Sequence, residues 1–229
     1  MLLIPGFFAG DWMMGTMARW LGRIGYRPHL SGIDCNVGCP GRKVELLSWR
    51  VQKIARTSGV PLFLVGHSLG GVLARSIAAR YPESVRHLVM LGAPRHMEWR
   101  SAIRPEWWPA LSFTRSLWSA LVVDAPRCDT RRCGCAFALS SPPADGVGLS
   151  SIYTRSDEVI HWRACVDPCA QNHKVPGGHF SLHVNRHVYR LLAETLAGNH
   201  TIHESGSSGV ISPIAPTCEP SYCSEQHPG

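Results

Sequence analysis

Apolar positions along the chain follow two alternating patterns. Short unbroken apolar runs occur at Leu2–Ile4, in "PLFLVG" (Pro61–Gly66) and in "VRHLVMLGAP" (Val85–Pro94). Such runs suit strands of a parallel sheet covered on both faces. Arg27–Ile33, "LSSIYTR" (Leu149–Arg155) and "NHKVPG" (Asn172–Gly177) read as further strands. Between the strands, apolar residues recur at helical spacing. Asp11 can cap a helix carrying Met13, Met17, Trp20, Leu21 and Ile24. Pro40 to about Thr57 carries Val44, Leu47, Val51, Ile54 and Ala55. Leu69–Tyr81 is mostly apolar and is stopped by Pro82. A short helix is expected near Ile160–Cys165, and a last one carries Val184, Val188, Leu191, Leu192 and Leu196. Strand–helix alternation with short loops predicts an α/β fold with a doubly wound, mostly parallel sheet.

The alternation fails from Arg95 to about Gly148, a stretch that includes Trp99, Trp107, Trp108 and Trp118. A loop region this long in a compact domain is usually functional or partly helical. The expected organisation is therefore one domain over residues 1–197 with an inserted helical lid or cap at about 95–148. A Ser-, Pro- and Gly-rich tail at 198–229 reads as disordered.

Composition narrows the class. The chain has 229 residues, 45% apolar and 17% charged, which reads as globular. No apolar run reaches the roughly 20 residues that span a bilayer. The start "MLLIPGFFAG" lacks a basic region and a cleavage site, so the expectation is a cytoplasmic protein, or else the mature or truncated form of a secreted one. The formal charge is +7, and the tail holds Glu204, Glu219 and Glu225 and no Lys or Arg, so the part before it carries about +10. The excess suits a solvated basic surface, an anionic lipid surface or an acidic substrate. The arginines are scattered without a nucleic-acid motif, so no nucleic-acid partner is expected. Nine cysteines is an odd number, and their spacings form no zinc pattern; disulfides and buried thiols are equally compatible. Asn199-His200-Thr201 matches a glycosylation sequon, too short a signal to carry weight. Without a phosphate loop, a dinucleotide G-x-G-x-x-G or an H-E-x-x-H, no cofactor or metal is implied.

One motif carries chemistry. Ser68 sits in Gly66-His67-Ser68-Leu69-Gly70, followed by Gly71, just past a buried strand and just before a buried helix. G-x-S-x-G in that context holds the serine in a strained, exposed turn, with the Leu69 N–H facing a developing oxyanion. A serine needs a base. Among twelve histidines, His179 follows "VPGG" at the end of the last predicted strand; His183, within a helix, is the alternative. His67 is read as pointing the wrong way. Asp157, in "TRSDEV" after the preceding strand, can orient the imidazole, whereas Glu158 reads as a helix start and Asp167 as lying beyond that helix. In "IPGFFAG" the Phe7 N–H can supply a second oxyanion donor.

With these residues in hand the chain resembles an α/β hydrolase. The likeness rests on "LLIPGF", "LVGHSLGG", "VMLGAP", "YTRSDEVIHW" and "VPGGHFSLHVN", and covers Leu2 to about Ala197. It is nearest to small bacterial lipase/esterase-like members that begin at the oxyanion strand. That resemblance implies carboxylic ester hydrolysis through an acyl-enzyme, with Ser68 as nucleophile, His179 as base and then acid, and Asp157 as orienting acid. Phe7 and Leu69 would form the oxyanion hole. Trp107, Trp108 and Trp118 in the lid would meet an apolar acyl chain, and a small-molecule or lipid ester would be the partner. Many relatives have His-Gly where this chain has Pro5-Gly6. An acyltransferase, a thioesterase or a non-catalytic lipid-binding protein on the same fold are the alternatives, and the oligomeric state stays open.

Overall fold

The fold is described from a computed structural model, over residues 1–95, 102–107 and 146–204, with side chains of residue 107 and of residues 199–204 outside the described set. Among the described residues, six strands form one parallel sheet in the order β2-β1-β3-β4-β5-β6. They are β1 (Leu2–Ile4), β2 (His29–Leu30), β3 (Leu62–His67), β4 (Val85–Leu91), β5 (Gly148–Tyr153) and β6 (Gln171–Lys174). The helices among the described residues are α1 (Asp11–Arg23), α2 (Pro40–Ser58), α3 (Leu69–Arg80), a short α4 (Trp162–Cys165) and α5 (Arg186–Glu204).

Alternation along the strands divides the core into two layers. Leu2, Ile4, Leu64, Leu88 and Met90 face one side, packed with Val44, Leu47 and Val51 of α2 and with the largely buried α3. Leu3, Val65, Val89, Leu91 and Ile152 face the other, packed with Met14, Met17 and Leu21 of α1 and with Val188, Leu192 and Leu196 of α5. Burial on both faces explains why the central strands read as unbroken apolar runs.

The edges depart from expectation. β2 pairs through only two residues, and β6 is the polar run Gln171–Lys174 rather than Asn172–Gly177. An edge strand has one neighbour to pair with, so neither length nor apolarity is enforced there. The buried stripe of α1 is Met14, Met17 and Leu21, while Ile24 lies past the helix end and is exposed. Asp11 does not cap α1. It accepts from Ser31 N–H at 3.0 Å, Ser31 Oγ at 2.6 Å and Gly32 N–H at 2.7 Å, tying α1 to the loop after β2. Val184 is exposed and belongs to a separate 3-10 turn, His179–Val184. α5 runs on through Gly198, where a stop was expected, to Glu204; a glycine inside a helix costs only about 1 kcal/mol.

The described part of the expected lid is short. Ile103 bridges Ile160 antiparallel, and Pro105–Trp107 form a 3-10 turn. The rest of that region lies outside the described residues, as do Trp108, Trp118 and the side chain of Trp107.

A buried ion pair joins the two halves of the sheet. Arg75 of α3 donates to Asp167 in the loop after α4, and both side chains are 3% exposed. Asp167 also accepts from Cys169 N–H at 2.9 Å. Cys169 is disulfide-bonded, whereas Cys35 and Cys165 carry free thiols, so the cysteines serve both of the expected ends. Removing one partner of a buried pair strands the other charge. Arg75→Met is expected to lower unfolding free energy by about 3–5 kcal/mol. Adding Asp167→Asn should recover more than half of that loss, measured by urea denaturation.

Candidate active site

Strand order reverses between β1 and β3, because the chain passes from β1 to β2 on one side and later to β3 on the other. Loops that leave a parallel sheet at such a point open a crevice beyond the carboxyl ends of the strands. Ser68 lies there, between β3 and α3.

The glycines around Ser68 have a steric cause. A Cβ on Gly66 would strike the backbone of Gly70 and Gly71, and one on Gly70 would strike the carbonyls of Ile4 and Pro5. A Cβ on Gly71 would lie 2.5 Å from Ala93 Cβ. The start of α3 therefore folds back on β3 while pressing against β1 and the loop after β4. Ser68 takes up the resulting strain at φ 51° and ψ −123°, a left-handed backbone in a non-glycine residue. Its N–H donates to the Leu91 carbonyl at 2.8 Å. Ser68 is 9% exposed, less accessible than the exposed hydroxyl expected from sequence. As the first residue of α3, Leu69 has an N–H with no partner inside the helix, directed where the helix dipole favours negative charge.

Asp157 and His179 meet. His179 Nδ1 donates to Asp157 Oδ2 at 2.8 Å, and both side chains are buried. A carboxylate oxygen only accepts, so Nδ1 carries the hydrogen of this bond. Asp157 Oδ1 is fixed by Val159 N–H at 2.9 Å and Ile160 N–H at 2.7 Å. The segment 102–107 meets the same loop, with Arg104 Nη1 donating to the Asp157 carbonyl at 3.2 Å. Gly92 connects this pair to Ser68. A Cβ there would lie 3.2 Å from His179 Nδ1 and 3.3 Å from Asp157 Oδ2, and the preceding Leu91 holds the Ser68 N–H. His183, the alternative base, is half-buried with its ring 5.9 Å from that of His67.

The Phe7 loop is a turn closed by Ala9 N–H to the Gly6 carbonyl at 3.2 Å, which leaves the Phe7 N–H outside the turn's own bond. Asn36 clamps it. Its Nδ2 donates to the Pro5 carbonyl at 2.8 Å, its N–H to the Ala9 carbonyl at 2.7 Å, and its carbonyl accepts from Phe8 N–H at 3.2 Å. Nothing in the sequence around Asn36 signals this, because its partners lie far back in the chain. Phe7 and Phe8, with rings 4.5 Å apart, are exposed, as is Phe180, whose ring lies 5.4 Å from that of His179.

Two readings of the sequence need correction. His67 does not point away from the site. It is the last residue of β3, 2% exposed, with its ring 4.8 Å from that of His179. Glu158 does not start a helix, since α4 begins at Trp162; its carboxylate accepts from His179 N–H at 2.8 Å. Both errors arise because the contacts span the sheet and leave no local pattern.

Burial, reinforced by the neighbouring His179 and His183, depresses the His67 imidazole to about 3, so it is neutral. Burial and the adjacent Arg86 likewise push His87 of β4 down to about 4. For Glu158, partial burial works upward but is outweighed by the N–H donors and by His179, leaving its carboxyl below the ordinary range.

The comparisons agree with this architecture. A family model described as alpha/beta hydrolase fold matches residues 44–118. A triacylglycerol lipase of Pseudarthrobacter phenanthrenivorans is 36% identical over 69 residues, covering 30% of this chain and 22% of that protein. A (lyso)-N-acylphosphatidylethanolamine lipase of Mus musculus is 41% identical over 59 residues, 25% of this chain and 14% of that protein. The matches thus span less than a quarter of those relatives' lengths. Among solved structures, a carboxylesterase of Nitrososphaera gargenis superposes with TM-score 0.59 at 14% identity, covering 87% of this chain and 90% of that one. An N-acyl homoserine lactonase superposes with TM-score 0.54 at 14% identity, covering 92% and 91%. The chain has the α/β-hydrolase fold.

The two neutral histidines give a pH dependence. The unfolded chain protonates both rings as pH falls through about 6.5, while the folded chain resists until about 4 and about 3. Stability is therefore lost as pH drops. Between pH 6.5 and 5 the loss should approach about 1.4 kcal/mol per pH unit for each ring. His87→Gln should roughly halve that slope in urea unfolding followed against pH.

Proposed function

We propose that the protein is a serine hydrolase of carboxylic esters. The observation that carries this reading is the hydrogen-bonded His179–Asp157 pair beside a serine held at φ 51° at the start of α3. In this reading His179 Nε2 takes the Ser68 proton as Oγ attacks the acyl carbon. The negative charge that develops on the carbonyl oxygen meets the N–H groups of Phe7 and Leu69. The C–O bond to the alcohol then breaks, and the alcohol leaves with the proton from His179. A water, deprotonated by the same Nε2, attacks the acyl-enzyme, and collapse returns the acid and a free Ser68. Asp157 keeps Nδ1 protonated and stabilises the imidazolium formed in each half.

The lipases among the relatives and the carboxylesterase among the structural neighbours support an ester as substrate. The exposed apolar side chains of Phe7, Phe8 and Phe180, each beside or within the loops that carry the expected site residues, support an apolar acyl group, as in a lipid or other hydrophobic ester.

Hydrolysis of p-nitrophenyl esters from acetate to palmitate tests the reading. Wild type should turn over, and Ser68→Ala should lose on the order of ten-thousand-fold or more in kcat while remaining folded. A folded wild type inert on every ester, or an equally active Ser68→Ala, would sink it.

A further inference from the structure

We propose that His67 and Glu158 are positioning residues that clamp the backbone of His179, one at its carbonyl and one at its N–H, and so set the reach of its imidazole toward Ser68. The inference rests on the hydrolase reading and assigns work to two residues that the triad leaves unused.

His179 is held at three points. Asp157 takes the ring at Nδ1, at 2.8 Å. Glu158 Oε2 accepts the backbone N–H, also at 2.8 Å. The His179 carbonyl lies 2.9 Å from His67 Nε2. A carbonyl only accepts, so Nε2 is the protonated nitrogen of His67. The opposite nitrogen, Nδ1, is buried without a partner, and a Cβ on Gly6 would lie 2.8 Å from it. A neutral ring protonated at Nε2 is the only form of His67 that serves this geometry without placing a charge in the core.

The clamp has a use that packing alone does not explain. His67 adjoins Ser68, so its bond to the His179 carbonyl ties base and nucleophile through one short rigid path. Glu158 adjoins Asp157, so one dipeptide fixes both the ring and the backbone of His179. Gly178 is shaped to admit that carboxylate, since a Cβ there would lie 2.6 Å from Glu158 Oε2. A shift of about 1 Å between reacting groups can cost on the order of 100-fold in rate.

The test compares two pairs of variants. Glutamine places its amide nitrogen where His67 Nε2 stands, and asparagine does not reach it. His67→Asn should lower kcat on the order of 10- to 100-fold with KM within about twofold, and His67→Gln should restore most of it. Glu158→Ala should lower kcat by about tenfold, with Glu158→Gln close to wild type. Labelling of Ser68 by a fluorophosphonate should slow in parallel. Circular dichroism melting separates rate from folding; should the His67 variants unfold, the Glu158 pair decides, since that side chain is exposed. Folded Asn or Ala variants that label and turn over like wild type overturn the clamp. If wild type itself neither labels nor hydrolyses esters, the hydrolase reading fails and the clamp with it.

Discussion

The site depends on how closely α3 can approach the sheet. A helix that starts immediately after β3 must fold back over it, and the contact surfaces are backbone. Gly66, Gly70 and Gly71 remove the three Cβ atoms that would block this approach, against the α3 backbone, β1 and Ala93 respectively. Close packing forces the connecting residue into a left-handed conformation, and the residue there is Ser68. Strain of this kind costs on the order of 1–3 kcal/mol and persists only where the surroundings over-determine it. Here they do: the Leu91 carbonyl holds the Ser68 N–H, and ten consecutive residues of α3 are buried between the sheet and α2. The three glycines are thus the steric condition for a serine with its neighbouring amide free at a helix start.

A second constraint governs the polar groups gathered behind that serine. The core at the strand ends holds Asp157, Asp167, Arg75, His67 and His179, each nearly inaccessible to water. Unpaired charge there would be costly. The molecule resolves this in two ways. Arg75 and Asp167 keep their charges and pair. His67 gives up its charge and, as a neutral ring, donates to a carbonyl. Pairing fixes the distance between α3 and the loop after α4, and neutrality lets a ring pack against His179 without competing for Asp157.

Local rules carry much of the fold. β3 and β4 are legible as apolar runs because both their faces are covered, and α2 is legible because Val44, Leu47 and Val51 recur at helical spacing before a glycine at φ 72°. Ser68, Asp157 and His179 are legible because each lies just past a strand, and parallel strands bring their carboxyl ends together. The edge strands are not, because two paired residues in β2 and a polar β6 leave no pattern. Neither are Asn36 and Glu158, whose work is done on residues distant in sequence: Asn36 reaches back to Pro5, and Glu158 forward to His179. His67 is the instructive miss. It sits inside the motif, yet position in a turn says nothing about what a side chain meets across the sheet.

These long-range contacts share a form that bears on how the site stays assembled. Three of the expected chemical residues have a sequence neighbour that bonds another part of the site: His67 beside Ser68, Glu158 beside Asp157, and Phe8, bonded to Asn36, beside Phe7. A side chain that carried both jobs would have to trade reach against rigidity. Dividing them between adjacent residues lets the peptide bond, the stiffest element available, transmit the position set by one to the other. The loops after β3, β5 and β6 are thereby held to one another through His179, while the bond between Phe8 and Asn36 joins the loops after β1 and β2.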